Sequence, residues 1–339
     1  MRTANLLSTC ALFCALLAGC EKAKMFTDEV QAKLAGKAAS GLMELGGPEM
    51  DPELEALVDK TDEGYLFRRD ISFPQEMDIR AEEVIAFDEC QVFGRSPYGG
   101  VKDRLSLTNR KIRFYKRRSG SIDCTIEVDQ IEKALDEKMS EEERASAITK
   151  SKDAGAQVSF NYTGGSWTTR KTTDFAKAMA NQRHEKELDV RLSEDGLMSR
   201  ARWFGQKRIK MGSKVQLSVD LLDLVFPRGT EGSATMTLVG IEGVHGHPCG
   251  IFEITGNLDF IEPATQESLE ADGKTSLESG SKVWLSLLYP VVLRKDLHTV
   301  TTLKFGEVKN GGGIISGKMK LTTLLDWQIA SNKKAAAPE

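Results

Sequence analysis

Near its C-terminal end the chain alternates. Ile315, Met319, Leu321, Leu325 and Trp327 fall on one parity, and Lys318, Lys320, Thr322 and Asp326 on the other. A strand turns successive side chains to opposite faces, so this pattern predicts a strand with one buried and one wet face. The runs "SATMTLVGI", "CGIFEITG" and "KVWLSLLYPVVLRKDLHTVTTLKF" precede it between turn-rich loops, and Asn310-Gly311-Gly312-Gly313 supplies positive-φ positions for the turn before it. From Tyr65 to Val128 the segments "EEVIAFDECQVFG", "RLSLTNRKIRFYKRR" and "SIDCTIEV" are strand-like as well. The expected fold is therefore mainly β: a curved antiparallel sheet or half-barrel with peripheral helices (α+β).

Helical signals are fewer. Ser140 and Glu143 make a capping box before "EERASAITK", and Phe175 and Met179 share a face of "TDFAKAMANQRHEKEL". Residues 21–62 are rich in Ala, Glu, Lys and Gly. Gly46-Gly47-Pro48 breaks that stretch, and Asp51-Pro52 can open a short helix, with aspartate as cap and proline as first residue. The expected organisation is a leader at 1–19, a helical tether at 20–62, and a β-rich part with a helical insert at 63–155. A second antiparallel β part follows at 156–330, with a disordered tail at 331–339.

The leader carries the most specific signal. Arg2 is its one charge, and Ala4 to Leu17 is almost wholly small or apolar. That describes a secretory signal, with an apolar core shorter than the ~20 residues of a membrane span. Leu17-Ala18-Gly19-Cys20 resembles the lipobox of bacterial lipoproteins. The resemblance implies cleavage before Cys20, diacylglyceryl transfer to its thiol and further acylation, palmitate among the chains. It places the protein in the bacterial cell envelope, membrane-anchored and facing the periplasm. Glu21, rather than aspartate, after the cysteine implies the outer membrane by the same resemblance. Two or more chains hold a protein stably on a bilayer, at ~0.8 kcal/mol per buried CH₂.

Charge narrows the partners. The chain holds 46 basic and 50 acidic side chains, a net charge of −4. Losing Arg2 with the leader makes the balance 45 against 50, which disfavours a general nucleic-acid binder. Of six cysteines, Cys10 and Cys14 leave with the leader and Cys20 is the acylation candidate. Cys90 and Cys124 sit in neighbouring strand-like segments and are the favoured disulfide, worth ~3–4 kcal/mol by chain entropy. The alternative is three separate buried thiols, Cys249 being the third.

Two clusters invite chemistry. In "GVHGHPCG", His245, His247 and Cys249 alternate, and imidazole with thiolate suits zinc or copper. Gly246 and Pro248 favour a turn there, so a hairpin tip bearing histidines competes with a metal site. In "RKIRFYKRR", Lys111, Arg113, Lys116, Arg117 and Arg118 could meet anionic headgroups or acidic glycans. The competing reading is a solvated strand face with Ile112 and Phe114 turned inward. Catalytic signatures are sparse: there is no G-x-S-x-G, no P-loop, and His184-Glu185 is followed by Leu188 where H-E-x-x-H needs histidine. No cofactor is implied.

"GSKVWLSLLYPVVLRKDLHTVTTLKF" resembles the strand–turn–strand of periplasmic lipoprotein carriers and their half-barrel relatives, over about residues 280–328. That resemblance implies a curved sheet around helices with acyl chains in its concave face. Gly212 to Leu217 is similar to the "G-x-x-v-x-l" strands of uncharacterised bacterial lipoproteins. The leading expectation is a non-catalytic, lipid-anchored envelope protein whose β domain binds an amphiphile or an envelope partner. The alternatives are a hydrolase of envelope polymers, with convergent carboxylates or His298 paired to an acid, and a purely structural assembly protein.

Overall fold

The computed structural model describes residues 48–68, 76–96, 99–118, 120–133, 147–150, 154–163, 166–172, 207–217, 230–262, 271–289, 291–305 and 315–331, with isolated positions between them. The leader, the tether as far as residue 47, Glu143 of the expected capping box, the helix expected over 173–188, the 310–313 turn and the tail from 332 lie outside these residues. Asp51-Pro52 does open a helix. In α1 (Pro52–Glu55) the Asp51 carboxylate accepts from the Glu53 amide at 2.8 Å, and proline takes a position whose N–H has no use.

Strands dominate the rest, as the alternating patterns predicted. β1 (Lys60–Thr61) and β2 (Gly64–Tyr65) pair with each other. The N-terminal half of the large sheet holds β3 (Met77–Ser96), β4 (Gly99–Arg118), β5 (Ser121–Lys133), β6 (Ile148–Lys150), β7 (Gln157–Thr163) and β8 (Ser166–Thr172). The C-terminal half holds β9 (Lys214–Leu217), β10 (Glu231–Val244), β11 (His247–Glu262), β12 (Ala271–Leu277), β13 (Lys282–Ser286), β14 (Val292–Phe305) and β15 (Ile315–Ser331). They form one curved, antiparallel, 13-stranded sheet in the order β8-β7-β5-β4-β3-β15-β14-β12-β11-β10-β9, with β6 on β5 and β13 between β11 and β14. The halves meet where β15 runs beside β3, from Met77↔Ser331 to Gly94↔Ile315.

The buried apolar residues form two clusters, and β11 and β13 give alternate residues to each, Cys249 and Trp284 to the first and Phe252 and Val283 to the second. Met77, Ile79 and Ala81 of β3, Tyr115 of β4, Ile122 and Cys124 of β5, and Val158 and Phe160 of β7 make the first. Met236 and Leu238 of β10, Phe252 and Ile254 of β11, Val283 and Leu285 of β13, and Leu297 of β14 make the second. Ile329 of β15 joins the first cluster, on the parity that the C-terminal alternation assigned to the core.

Two irregularities shape the frame. Asp88 is an extra residue on β3: Phe87 pairs with Leu321 and Glu89 with Lys320. Such a bulge adds twist, yet here it keeps Phe87 and Cys90 in phase with Leu321 and Met319. β12 and β13 share one slot between β11 and β14, broken at residues 278–281. Ser281 closes the break, its hydroxyl accepting from the His298 amide and donating to the His298 carbonyl, each at 3.0 Å.

Candidate functional site

The register of β3 with β4 and β15 continues past Ala81 along the longer strands. Register aligns Leu107–Phe87–Leu321, then Leu105–Cys90–Met319, then Asp103–Val92–Gly317–Leu303, then Val101–Gly94–Ile315–Phe305. The alternate rows are Glu89–Lys320, Arg104–Gln91–Lys318–Thr302 and Lys102–Phe93–Ser316–Lys304. Alternate positions along a strand have opposite parity, so the register groups mostly apolar residue types on one parity of this wing and mostly polar and charged types on the other.

A polar clasp sits at the other end of the sheet. β10 turns into β11 through His245 and Gly246, with Val244 opposite His247. Both central residues have positive φ, 49° and 84°, as a two-residue hairpin turn of this hand requires. The tip leans on β14 and β15. His245 Nε2 meets Asp326 Oδ2 at 2.5 Å, and Arg294 Nε donates to Asp326 Oδ1 at 3.1 Å. The Arg294 guanidinium also stands 5.7 Å from the Trp284 ring centroid, and Trp284 Nε1 donates to Glu242. One strand further, Glu82 lies opposite Asp326 and is held by Arg80 and Arg110, each at 2.9 Å.

Asp326 therefore corrects one expectation. Its parity marked it as solvent-facing, whereas it is 2% exposed. The alternation holds, but the hairpin tip and Arg294 cover the polar face at this end of β15. Burial acts to raise the Asp326 pKa; the hydrogen bond and charge of His245, with Arg294, outweigh it and hold the pKa below the usual value.

His247 does a different task. β14 pairs with β15 only as far as Arg294↔Asp326, so the backbone of β15 beyond that point needs another partner on this edge. His247 Nε2 supplies one, donating to the Ile329 carbonyl at 3.1 Å. Burial lowers the His247 pKa, which keeps the ring neutral, and Nδ1 is buried without a hydrogen-bond partner.

The three "GVHGHPCG" residues thus turn to separate surroundings. Cys249 is fully buried and its thiol pKa is pushed up by desolvation, which leaves it a packed thiol. Among the described residues no group of three His, Cys, Asp or Glu side chains is arranged to hold a metal ion. The histidines of the tip are not solvent-facing either: His247 is 7% exposed.

The expected Cys90–Cys124 bridge is corrected by the register. Cys90 sits opposite Leu105, whereas Cys124 sits opposite Tyr115, which itself faces Ile79. β4 lies between the two cysteines, and the rows are ten positions of β4 apart, roughly 33 Å along the strand. Cys124 is buried and forms no disulfide.

β4 alternates the basic run between two faces. Lys111, Arg113 and Arg117 fall in rows with Glu83, Ala81 and Met77, while Lys116 and Arg118 fall on the other parity. Arg118 pairs with Asp78 at 3.0 Å, and Lys116 lies over the Phe114 ring. Of the apolar residues in the run, Ile112 and Tyr115 are buried, on opposite faces. His298 does meet an acid, Asp296 two positions away on the same strand, at 3.1 Å. Both side chains are 38% exposed, so this is a surface pair, worth little by itself.

No motif marks Arg294, Glu82 or Glu242 as partners. For Glu82 and Arg294 the one signal is their shared row with Asp326 across β3, β15 and β14, which needs the register to be read.

No family model and no curated protein matches the chain. The fold is similar to a chain solved in a study of lipid–protein interactions in lipovitellin, at 10% identity and a TM-score of 0.30. That likeness covers 79% of this chain and 27% of the other. It is also similar to an outer membrane channel from Pseudomonas putida F1, at 7% identity and a TM-score of 0.17, over 78% of this chain and 99% of that one. Neither likeness bears on the site.

Proposed function

We propose that this chain is a lipid-anchored protein of the bacterial envelope whose sheet holds an amphiphile against the apolar rows of the β4–β3–β15–β14 wing. The observation that carries it is the register. β4, β3 and β15 bring Leu107, Phe87 and Leu321 into one row and Leu105, Cys90 and Met319 into the next of like parity, and Ile315 pairs with Phe305 of β14 two such rows beyond. A face of that kind suits acyl chains, while Lys320, Lys318 and Arg104 on the other face suit water. The Leu17–Cys20 motif supports the anchor. No step of bond making is assigned to it.

Native mass spectrometry of the acylated chain released from membranes tests the ligand. A co-purifying amphiphile is expected, together with loss of apolar-dye binding in Met319→Glu and retention in Lys318→Ala. Dye binding that ignores Met319→Glu would overturn the reading. For the anchor, a fatty-acid probe should label the wild type and not Cys20→Ala; continued labelling of the variant would refute it.

A further inference from the structure

The turn after Ile209 carries an unusual surface. Three large apolar side chains are exposed among the described residues, and two of them, Met211 at 50% and Val239 at 38%, are neighbours across a turn. The Gly212 amide donates to the Leu238 carbonyl at 2.7 Å, and the Leu238 amide donates to Ser213 at 3.1 Å, which fixes the Met211 tip beside Val239. Lys207, Lys210 and Lys214 are exposed on the same segment, with Lys207 and Lys210 lining one groove and Lys214 opposite Thr237, two positions before Val239. Lone exposed apolar residues are ordinary, but an apolar tip within a ring of bases is the composition of an interfacial contact.

The base of this patch is firm. Phe204 packs against Phe67 with ring centroids 4.6 Å apart and stacks on Phe252 at 5.7 Å, and the Lys207 amide returns to the Phe204 carbonyl at 3.1 Å. Arg208 clamps Asp59 at 2.7 Å, and Ile209 exchanges backbone hydrogen bonds with Tyr65 at 2.8 and 3.0 Å. Arg208 neutralises Asp59, and Glu63 is the one acid lining the groove beside Lys207 and Lys210. Exposed Glu253 lies in the row Lys214–Thr237–Glu253–Lys282 beside Lys282, so the bases still outnumber the acids here on a chain of net charge −4.

We infer that this patch, Met211 and Val239 within Lys207, Lys210 and Lys214, docks on an anionic bilayer surface. The N-terminal segment argues for a bilayer as the occupant. Pro48 and Asp51 are hydrogen-bonded to Gly243 and Gly246, at the end of the same β10 that carries Val239. Gly243 is four residues from Val239, roughly 13 Å along the strand, and Gly246 follows in the turn. The proposed tether would thus enter the domain on the strand that bears the patch, and the inference rests on that reading for proximity alone. Methionine would enter the headgroup boundary, and each lysine would add roughly fivefold in affinity for an anionic surface.

Hydrogen exchange of the full chain with vesicles of phosphatidylcholine, with or without 30% phosphatidylglycerol (~30%, to set a clearly negative surface), tests this. Amides of residues 207–214 should gain protection on the anionic vesicles only, and lose it in Met211→Asp and in Lys207→Gln/Lys210→Gln. Absent protection, equal protection on neutral vesicles, or protection that survives both variants would overturn it. Flotation of the same samples separates the two claims. A chain that floats through its acyl groups without protecting 207–214 keeps the tether and refutes the patch. An unacylated chain that still protects 207–214 refutes the tether and keeps the patch.

Discussion

Arg294 and Asp326 stand directly opposite each other in the β14–β15 ladder and share a hydrogen bond of 3.1 Å with both side chains buried. Neither could stay charged there alone. The pair, with His245 on the other carboxylate oxygen, fastens the β10–β11 tip to the C-terminal strand.

Removing one partner should therefore be costly. Asp326→Ala leaves the Arg294 charge buried and is expected to destabilise by about 3–5 kcal/mol in urea melts. Replacing both, as Arg294→Met/Asp326→Leu, should recover most of that loss. A double variant as unstable as the single one would show that the network contributes more than mutual compensation.

Stability should respond to pH in two separate windows. The folded His247 pKa lies below its unfolded value of about 6.5, so the unfolded chain binds the extra proton. Its contribution is whole above about pH 6.5 and is lost as pH falls below that. His247→Gln should flatten the slope of Tm as pH falls below about 6.5. The Asp326 pKa is also lowered, so its contribution is present above about pH 3.9 and is lost as pH falls through the lower folded value.

A methyl group at Gly243 would overlap the Glu49 carbonyl. Gly243→Ala should push residues 48–51 off the hairpin tip and break the Gly243–Pro48 and Asp51–Gly246 hydrogen bonds. Limited proteolysis should then cut near residue 50 faster than in wild type, with the midpoint of global unfolding moved less than by Asp326→Ala.

Alkylation of the denatured chain without reductant should label Cys90, Cys124 and Cys249. Protection of Cys90 together with Cys124 would contradict the register of β3, β4 and β5.

Strand existence and parity were legible because both follow from alternation within a few residues. Asp51 and Ile329 behave as local pattern says they should. What the pattern could not carry is anything set by distant pairing. Asp326 looked solvent-facing because the tip that covers it lies some eighty residues away in sequence. Cys90 and Cys124 looked adjacent because consecutive segments often pair, yet the intervening β4 separates them. The turn reading of Gly246 was correct in backbone, while the burial of His247 depends on where β14 leaves β15, which no short window contains.

The β3–β15 pairing has a kinetic meaning. Its residues are separated by more than two hundred positions, and the strands that complete the wing join through it. Pairing at such separation bears the loop-closure entropy before any contact repays it, which makes folding slow. While the chain is being made, β3 and β4 can form their hairpin but lack the neighbour that completes the row of Phe87 and Cys90. Joining of the two halves of this sheet thus waits until β15 has been made.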